Sequence, residues 1–325
     1  MPQAQPGPTV ATMRSGRTLG CSGGEDEVHI RFGFEISIEC QTQVTLLLAL
    51  SPHRTFSGRR IGSDDIRTSP AVPLDLHTNL FGNRIVRLLA PQPGLTVRSD
   101  CIAEVAGEPD IVAPDAPQIA IADLPTHALP FLTASRYCES DELTEVAWQN
   151  FGQTKPGWDR VQAICDFIHE RTTFDYKFGR PTKTAREVYE EKTGVCRDFA
   201  HLAVSLCRAM NIPARYASGY LGDIGIPPTG PGDFCAWFEA FLGGRWYTFD
   251  ARYNTPRIGR ILMVRGRDAA DTAMITSFGA YTLTEFRVWT DEVPSGIDEK
   301  QMLEMLKTPP DAEARVSRPA ARMAS

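Results

Sequence analysis

No run of apolar residues in this 325-residue chain approaches the ~18 that a membrane-spanning helix requires, so no transmembrane segment is expected. Positive charge is also in short supply. Lys and Arg number 34 against 40 Asp and Glu, a net charge of −6. With a pI near 5.6, neither a nucleic-acid backbone nor an anionic membrane is an expected partner. The eight cysteines are irregularly spaced and contain no Cys-x-x-Cys pair. Zinc ligation and a disulfide framework are therefore not expected, no cofactor is implied, and a reducing cytoplasm is the expected compartment. The first 25 residues are rich in Pro, Gly, Ser and Thr but lack an apolar stretch, which reads as a flexible leader and not a secretory signal. Histidine is scarce: His29, His53, His77, His127, His169 and His201 complete the set, with none after position 201.

A hydrophobic content of 42% over this length suggests two domains with proper cores. In residues 26–106 the pattern is strand-like. Ile30, Phe32, Phe34, Ile36 and Ile38 alternate, residues 44–50 are continuously apolar, and Gly82-Asn83 and Pro91-Gln92-Pro93-Gly94 break later strands. A small β-sandwich is the economical arrangement. Residues 107–130, with five prolines and several acids, read as a linker. Residues 131–293 form the second domain. Ser140 is expected to cap a helix carrying Leu143, Val146, Ala147 and Phe151, and a second helix carries Trp158, Val161, Ile164, Cys165 and Ile168. Thr184-Ala185-Arg186-Glu187 spells a capping box. A last strand is expected at residues 286–289, and residues 294–325 read as a polar, flexible tail that holds at most a brief helix at residues 302–306.

The chain is organised around residues 184–250, and within them around Gly194-Val195-Cys196-Arg197-Asp198-Phe199. Leu202, Leu206, Ala209 and Met210 recur at helical spacing after the cysteine, and Asn211-Ile212-Pro213 ends the pattern. Cys196 thus opens a helix, where unpaired N–H groups and the dipole favour a thiolate. Cys207, deeper in the same helix, reads instead as a small buried hydrophobe. Residues 234–242 and 245–250 flank Gly243-Gly244, a two-residue hairpin turn. That register sets Leu242 against Arg245, Trp237 against Asp250 and Cys235 against Arg252. Cys235 and Asp250 then become diagonal neighbours on one face, and a helix-borne thiol facing two residues on adjacent strands is the geometry of a thiol triad. His201 lies five residues past Cys196, about 500° around a helix, and is expected to be structural.

Thr193-Gly194-Val195-Cys196-Arg197-Asp198-Phe199-Ala200-His201, Asn211-Ile212-Pro213-Ala214-Arg215-Tyr216 with Ser218-Gly219-Tyr220-Leu221, Ala236-Trp237-Phe238-Glu239-Ala240 and Trp246-Tyr247-Thr248-Phe249-Asp250-Ala251-Arg252 occur in that order. Together they resemble the bacterial transglutaminase-like superfamily over about residues 26–291. The resemblance implies an α+β chain: an N-terminal β-sandwich followed by a papain-like core of helices packed on an antiparallel sheet. It also implies a Cys–His–Asp site in which Cys196 is the nucleophile and Asp250 the acid. Where the pattern carries histidine before Ala-Trp, this chain has Cys235. The function implied is amide hydrolysis or acyl transfer on a peptide or protein through a Cys196 thioester, impaired by the missing imidazole. The alternative is a non-catalytic domain that binds peptide or protein in its cleft. In either case Cys196 and Cys235 are expected to face each other, close enough for a disulfide. The loop at residues 222–232 is expected to overhang that cleft. Nothing in the sequence fixes the oligomeric state.

Overall fold

The computed structural model describes residues 27–226, 233–308 and 310. The expected leader, most of the tail and part of the loop before Cys235 lie outside the described residues.

Seven strands come first: β1 (Glu27–Glu39), β2 (Val44–Leu48), β3 (Arg59–Ile61), β4 (Arg67–Ser69), β5 (Asp75–Thr78), β6 (Arg84–Ala90) and β7 (Gly94–Ala106). Then follow α1 (Thr144–Phe151), α2 (Trp158–Arg171), β8 (Thr173–Phe174), α3 (Ala185–Glu191), β9 (Thr193–Gly194) and α4 (Cys196–Ala209). The remainder is β10 (Ala214–Tyr220), β11 (Phe234–Leu242), β12 (Arg245–Phe249), β13 (Ile261–Gly266), β14 (Ile275–Phe278), β15 (Thr282–Glu292) and α5 (Glu299–Met305). The result is α+β, with a strand-rich N-terminal region and a core of helices on an antiparallel sheet. No described helix is long and apolar enough to cross a membrane.

One sheet runs β15-β1-β7-β3, with β4 also on β7, and faces a second that runs β14-β2-β6-β5. Between them lie the alternating residues of β1 (Ile30, Phe32, Phe34 and Ile36) and Leu46, Leu48, Val86, Leu88 and Val97. Two of these strands come from the far end of the chain. β15 pairs with β1 from Ile30↔Glu292 to Glu39↔Thr282, and β14 pairs with β2. Residues 275–292, expected in the second domain, therefore complete the first, because the open edges of β1 and β2 supply the ladder partners they need. The tail is also corrected over residues 294–308. α5 begins at a capping box between Asp298 and Gln301, Met302 packs with Ile61, Ile102 and Val293, and Arg31 donates to the Thr308 carbonyl at 2.6 Å.

The third sheet, β12-β11-β10-β13, carries the site. The Gly243-Gly244 turn has φ of 55° and 91°, the left-handed values that a two-residue type I′ hairpin needs and glycine accepts readily. Register follows as expected, with Leu242↔Arg245 and Phe238↔Phe249 as its ends. Every residue of β11 is buried. Phe238, Ala240 and Leu242 meet α2 and α4, Phe241 meets Leu124 and Ala128 of the linker, and Phe234 enters the sandwich core. The linker is accordingly fastened to the core. The N–H groups of Trp158 and Gly243 donate to the carbonyls of Ala116 and Pro117 at 3.0 and 2.8 Å.

α4 is the central helix, buried throughout from Asp198 to Ala209. Its buried arginine is well partnered. Arg208 donates to the Ala214, Thr133 and Arg267 carbonyls and to Ser135 Oγ. The capping box of Thr184 and Glu187 forms as expected. The helix expected to be capped by Ser140 begins four residues later, at Thr144, with no side-chain cap. There Thr144 Oγ1 donates to the Ser140 carbonyl at 3.0 Å and closes a turn ahead of it.

Glu239 on β11 is buried between Arg215 at 2.5 Å and Arg265 at 2.8 Å. Burial pushes its carboxyl up, but the two guanidinium charges outweigh burial and hold it below 4.5. Substituting Glu239→Gln strands both arginines and is expected to cost about 3 kcal/mol in urea unfolding. The stabilisation is present above about pH 4.5 and is lost as pH falls through the lowered folded-state value. The variant should lose less stability across that window than the natural chain, because the other carboxylates held below their ordinary values still titrate there.

Candidate active site

Cys196 is the first residue of α4 and is half-buried. The helix starts there because Asp198, two positions in, accepts from the Val195 N–H at 3.0 Å. Its other oxygen takes Arg197 Nη2 at 2.7 Å, and Arg197 also donates to the Arg180 carbonyl at 2.5 Å. Gly194 is required by this closeness: a Cβ there would lie 2.7 Å from Asp198 Cβ. The first-turn N–H groups of α4 have no partners within the helix and point to the Cys196 end.

The start of β11 meets that end. The β11–β12 ladder stops at Phe238↔Phe249, so the edge of β11 is open at Ala236, and the Ala236 N–H donates to Cys196 Sγ. Cys235 Sγ donates to the Ala236 carbonyl at 3.7 Å and also has the Cys196 sulfur as a hydrogen-bonding neighbour. The contact between the two thiols, aided by Arg252 and the Ala236 N–H, holds the Cys196 thiol below its ordinary value against burial and Asp233. Cys235 moves the other way. It is held well above its ordinary value by the Cys196 contact, burial and Asp250, with Arg260 opposing. The contact thus favours ionisation at Cys196 and retention of the proton at Cys235.

Asp250 departs from the expected geometry. The chain leaves the ladder after Phe249, so Asp250 and Arg252 are not paired across the ribbon with Trp237 and Cys235. Asp250 Oδ1 accepts from the N–H groups of Arg252 and Tyr253 at 3.0 and 3.1 Å, which turns the chain. Its Oδ2 accepts from Arg260 Nη2 at 3.0 Å. Arg260, buried against the Trp237 ring at 4.9 Å, also donates to Asp110 at 2.8 Å. Asp250 acts on Cys235 through its charge.

His201 points away from the thiols. Its Nε2 accepts from the Ala269 N–H at 3.1 Å, and its ring stacks on Tyr137 at 5.3 Å and meets Tyr216 at 5.1 Å. Burial, then Arg197 and Arg208, hold it well below its ordinary value, so it stays neutral.

Residues 147–251 match the transglutaminase-like superfamily. A crystal structure from Cytophaga hutchinsonii, named a "Putative Cysteine Protease", is similar with a TM-score of 0.75 and 28% identity, over 84% of this chain and 93% of that one. The chain carries a transglutaminase-like domain. An uncharacterised Mycobacterium leprae protein is 28% identical over 221 residues, 64% of this chain and 77% of its own length. A Mycobacterium bovis relative is 29% identical over 203 residues, 56% of this chain and 63% of its own.

Sequence reasoning missed two neighbours of the thiol pair, Tyr216 and Arg260, and had set a third, Arg252, against Cys235 in the ladder. Tyr216 has its hydroxyl raised by burial and by the nearby Cys196, so it stays protonated beside the pair. Arg252 lies over the Phe174 ring at 3.5 Å and acts on both thiols. Its place two residues after Asp250 was a usable signal. Arg260, ten residues past Asp250 in an unpatterned turn, left none.

Cys196 should alkylate with iodoacetamide faster than the other described cysteines. Burial raises Cys40, and pushes Cys101 and Cys138 up to about 12. Labelling should rise with pH through a lowered thiol value. Cys235→Ala removes the neighbouring S–H and should shift the Cys196 profile to higher pH. An unshifted profile would mean that the helix terminus alone sets the thiolate.

Proposed function

We propose that this chain is a thiol enzyme of the acyl-transfer class, acting on a peptide or protein acyl donor through a Cys196 thioester. One observation carries the reading: a half-buried cysteine at the N-terminus of a buried helix has a second thiol and a backbone N–H as hydrogen-bonding neighbours. The Cys196 thiolate attacks the carbonyl carbon, and the first-turn N–H groups of α4 receive the oxyanion. Cys235 gives its proton to the departing amine, leaving the thioester and a Cys235 thiolate. That thiolate takes a proton from the incoming water or amine, and the collapse of the second adduct restores Cys196 as thiolate and Cys235 as thiol. A proton held as firmly as that of Cys235 leaves slowly, so the rate should be low compared with an imidazole relay. A reducing cytoplasm is the compartment that would keep both thiols free, as they are here.

The second reading, a cleft that binds peptide without chemistry, is favoured by the Arg260–Asp250 ion pair, which occupies the carboxylate that would orient an imidazole. Amidase and amine-incorporation assays on the full chain separate the two. Weak turnover is expected from the natural chain and none from Cys196→Ala. Cys235→His should gain at least about 100-fold, because Asp250 Oδ2 retains a lone pair for one imidazole N–H. If the natural chain already matches the histidine variant, Cys235 does not stand in for the base. If every form is inert with the fold intact, the binding reading takes over.

A further inference from the structure

The thiols at the end of α4 are unequal in access as well as in partners. Cys196 is half-buried and can be reached, whereas Cys235 is 6% exposed beneath it. Cys165 and Cys207 also feel each other's charge, but both lie in the core, beyond the reach of a substrate. Cys196 packs against the cluster of Ala200, Tyr216 and Ala236, and Ala236 directly follows Cys235 on β11, so the two thiols are neighbours and each acts on the other's proton. The ladder partner of Cys235 on β10 is Gly219, where a Cβ would lie 2.1 Å from the Ile261 carbonyl of β13.

We infer that Cys196 and Cys235 form a thiol–disulfide exchange site, with Cys196 as the attacking and Cys235 as the resolving thiol, whose substrate is an accessible disulfide. The Cys196 thiolate attacks one sulfur of R–S–S–R, forming Cys196–S–S–R and releasing RS⁻, which takes a proton from water. Cys235 then loses its proton to solvent and attacks Cys196 Sγ. A Cys196–Cys235 disulfide forms and the second RS⁻ leaves. Two electrons pass from the pair to the substrate, and an external dithiol reverses the sequence.

The order of the steps is built into the pair. In the reduced state the Cys235 proton is held first by the hydrogen-bonding contact with the Cys196 sulfur and also by that sulfur's charge. Capping Cys196 with R removes both restraints. Burial and Asp250 still retain the proton, while Arg260 and Arg252 favour the Cys235 thiolate. The event that requires the resolving thiol therefore lifts two of the restraints on its proton.

This inference does not rest on acyl transfer, because it is read on the protein's own sulfurs. A chain inert toward every amide still tests it. The reduced full-length chain is exposed to glutathione disulfide, quenched with acid at intervals, alkylated, and mapped by peptide mass spectrometry. The Cys196–Cys235 disulfide is expected as the main product, with glutathione on Cys196 only transiently. Cys235→Ser and Cys235→Ala, with wild-type circular dichroism, should hold the Cys196 adduct at least about 10-fold longer. The inference is overturned if the natural chain keeps a lasting glutathione adduct on Cys196, leaves Cys196 unmodified, or bridges other cysteines instead. Because the natural chain alone yields these outcomes, a variant that fails to fold does not rescue it.

Discussion

The site depends on one edge: the stretch of β11 that β12 leaves uncovered. Once the ladder ends at Phe238↔Phe249, the Ala236 N–H needs an acceptor, since a buried donor without one costs about 1–3 kcal/mol. Cys196 Sγ fills that role. The helix is held at the right depth by Asp198, which closes its first turn, and by Gly194, which lets that carboxylate approach. The end of the ladder is itself enforced by Asp250, whose Oδ1 draws in two N–H groups and turns the chain away. The residue read as a triad member from sequence is, in space, the residue that opens the sheet edge to Cys196.

Charge around this edge is arranged in two layers. Next to the sulfurs, the Cys235 contact and Arg252 favour a thiolate while Asp233 and burial oppose it, and the favourable side prevails. Behind them Arg260 spans Asp250 and Asp110. Burial alone would pull this guanidinium down, but the two carboxylates hold it above its ordinary value. It therefore remains charged and keeps Asp250 compensated. A buried carboxylate without that partner would be an uncompensated charge, a cost of several kcal/mol. With no imidazole to accompany, Asp250 is balanced by an arginine.

The two halves of the chain meet through one apolar cluster and not only through a tether. Tyr220 at the end of β10 meets Phe32 at 5.0 Å, and Phe234, the neighbour of Cys235, meets Phe34 at 6.3 Å. The sandwich core thus buttresses the strand that carries the second thiol. The return of β14 and β15 into the sandwich ties both ends of the described chain to that buttress.

Local features were legible in the sequence. Gly194-Val195-Cys196 with its downstream period placed a cysteine on a helix N-terminus, Gly243-Gly244 set the hairpin register, and alternation in residues 30–38 drew the sandwich strand, because each is governed by a few neighbouring dihedrals and one buried face. The lack of any histidine after position 201 was equally plain. Other features were decided only in three dimensions. The path after Phe249 is set by hydrogen bonds to the Asp250 side chain, which the strand period does not encode, so the expected opposition of Cys235 and Arg252 was lost. Arg260 reaches Asp250 across a turn of ten residues, and β15 finds β1 across about the whole chain. Such partners are selected by which edges and charges remain unsatisfied once the rest has packed. That is a property of the assembled fold and not of any window of its sequence.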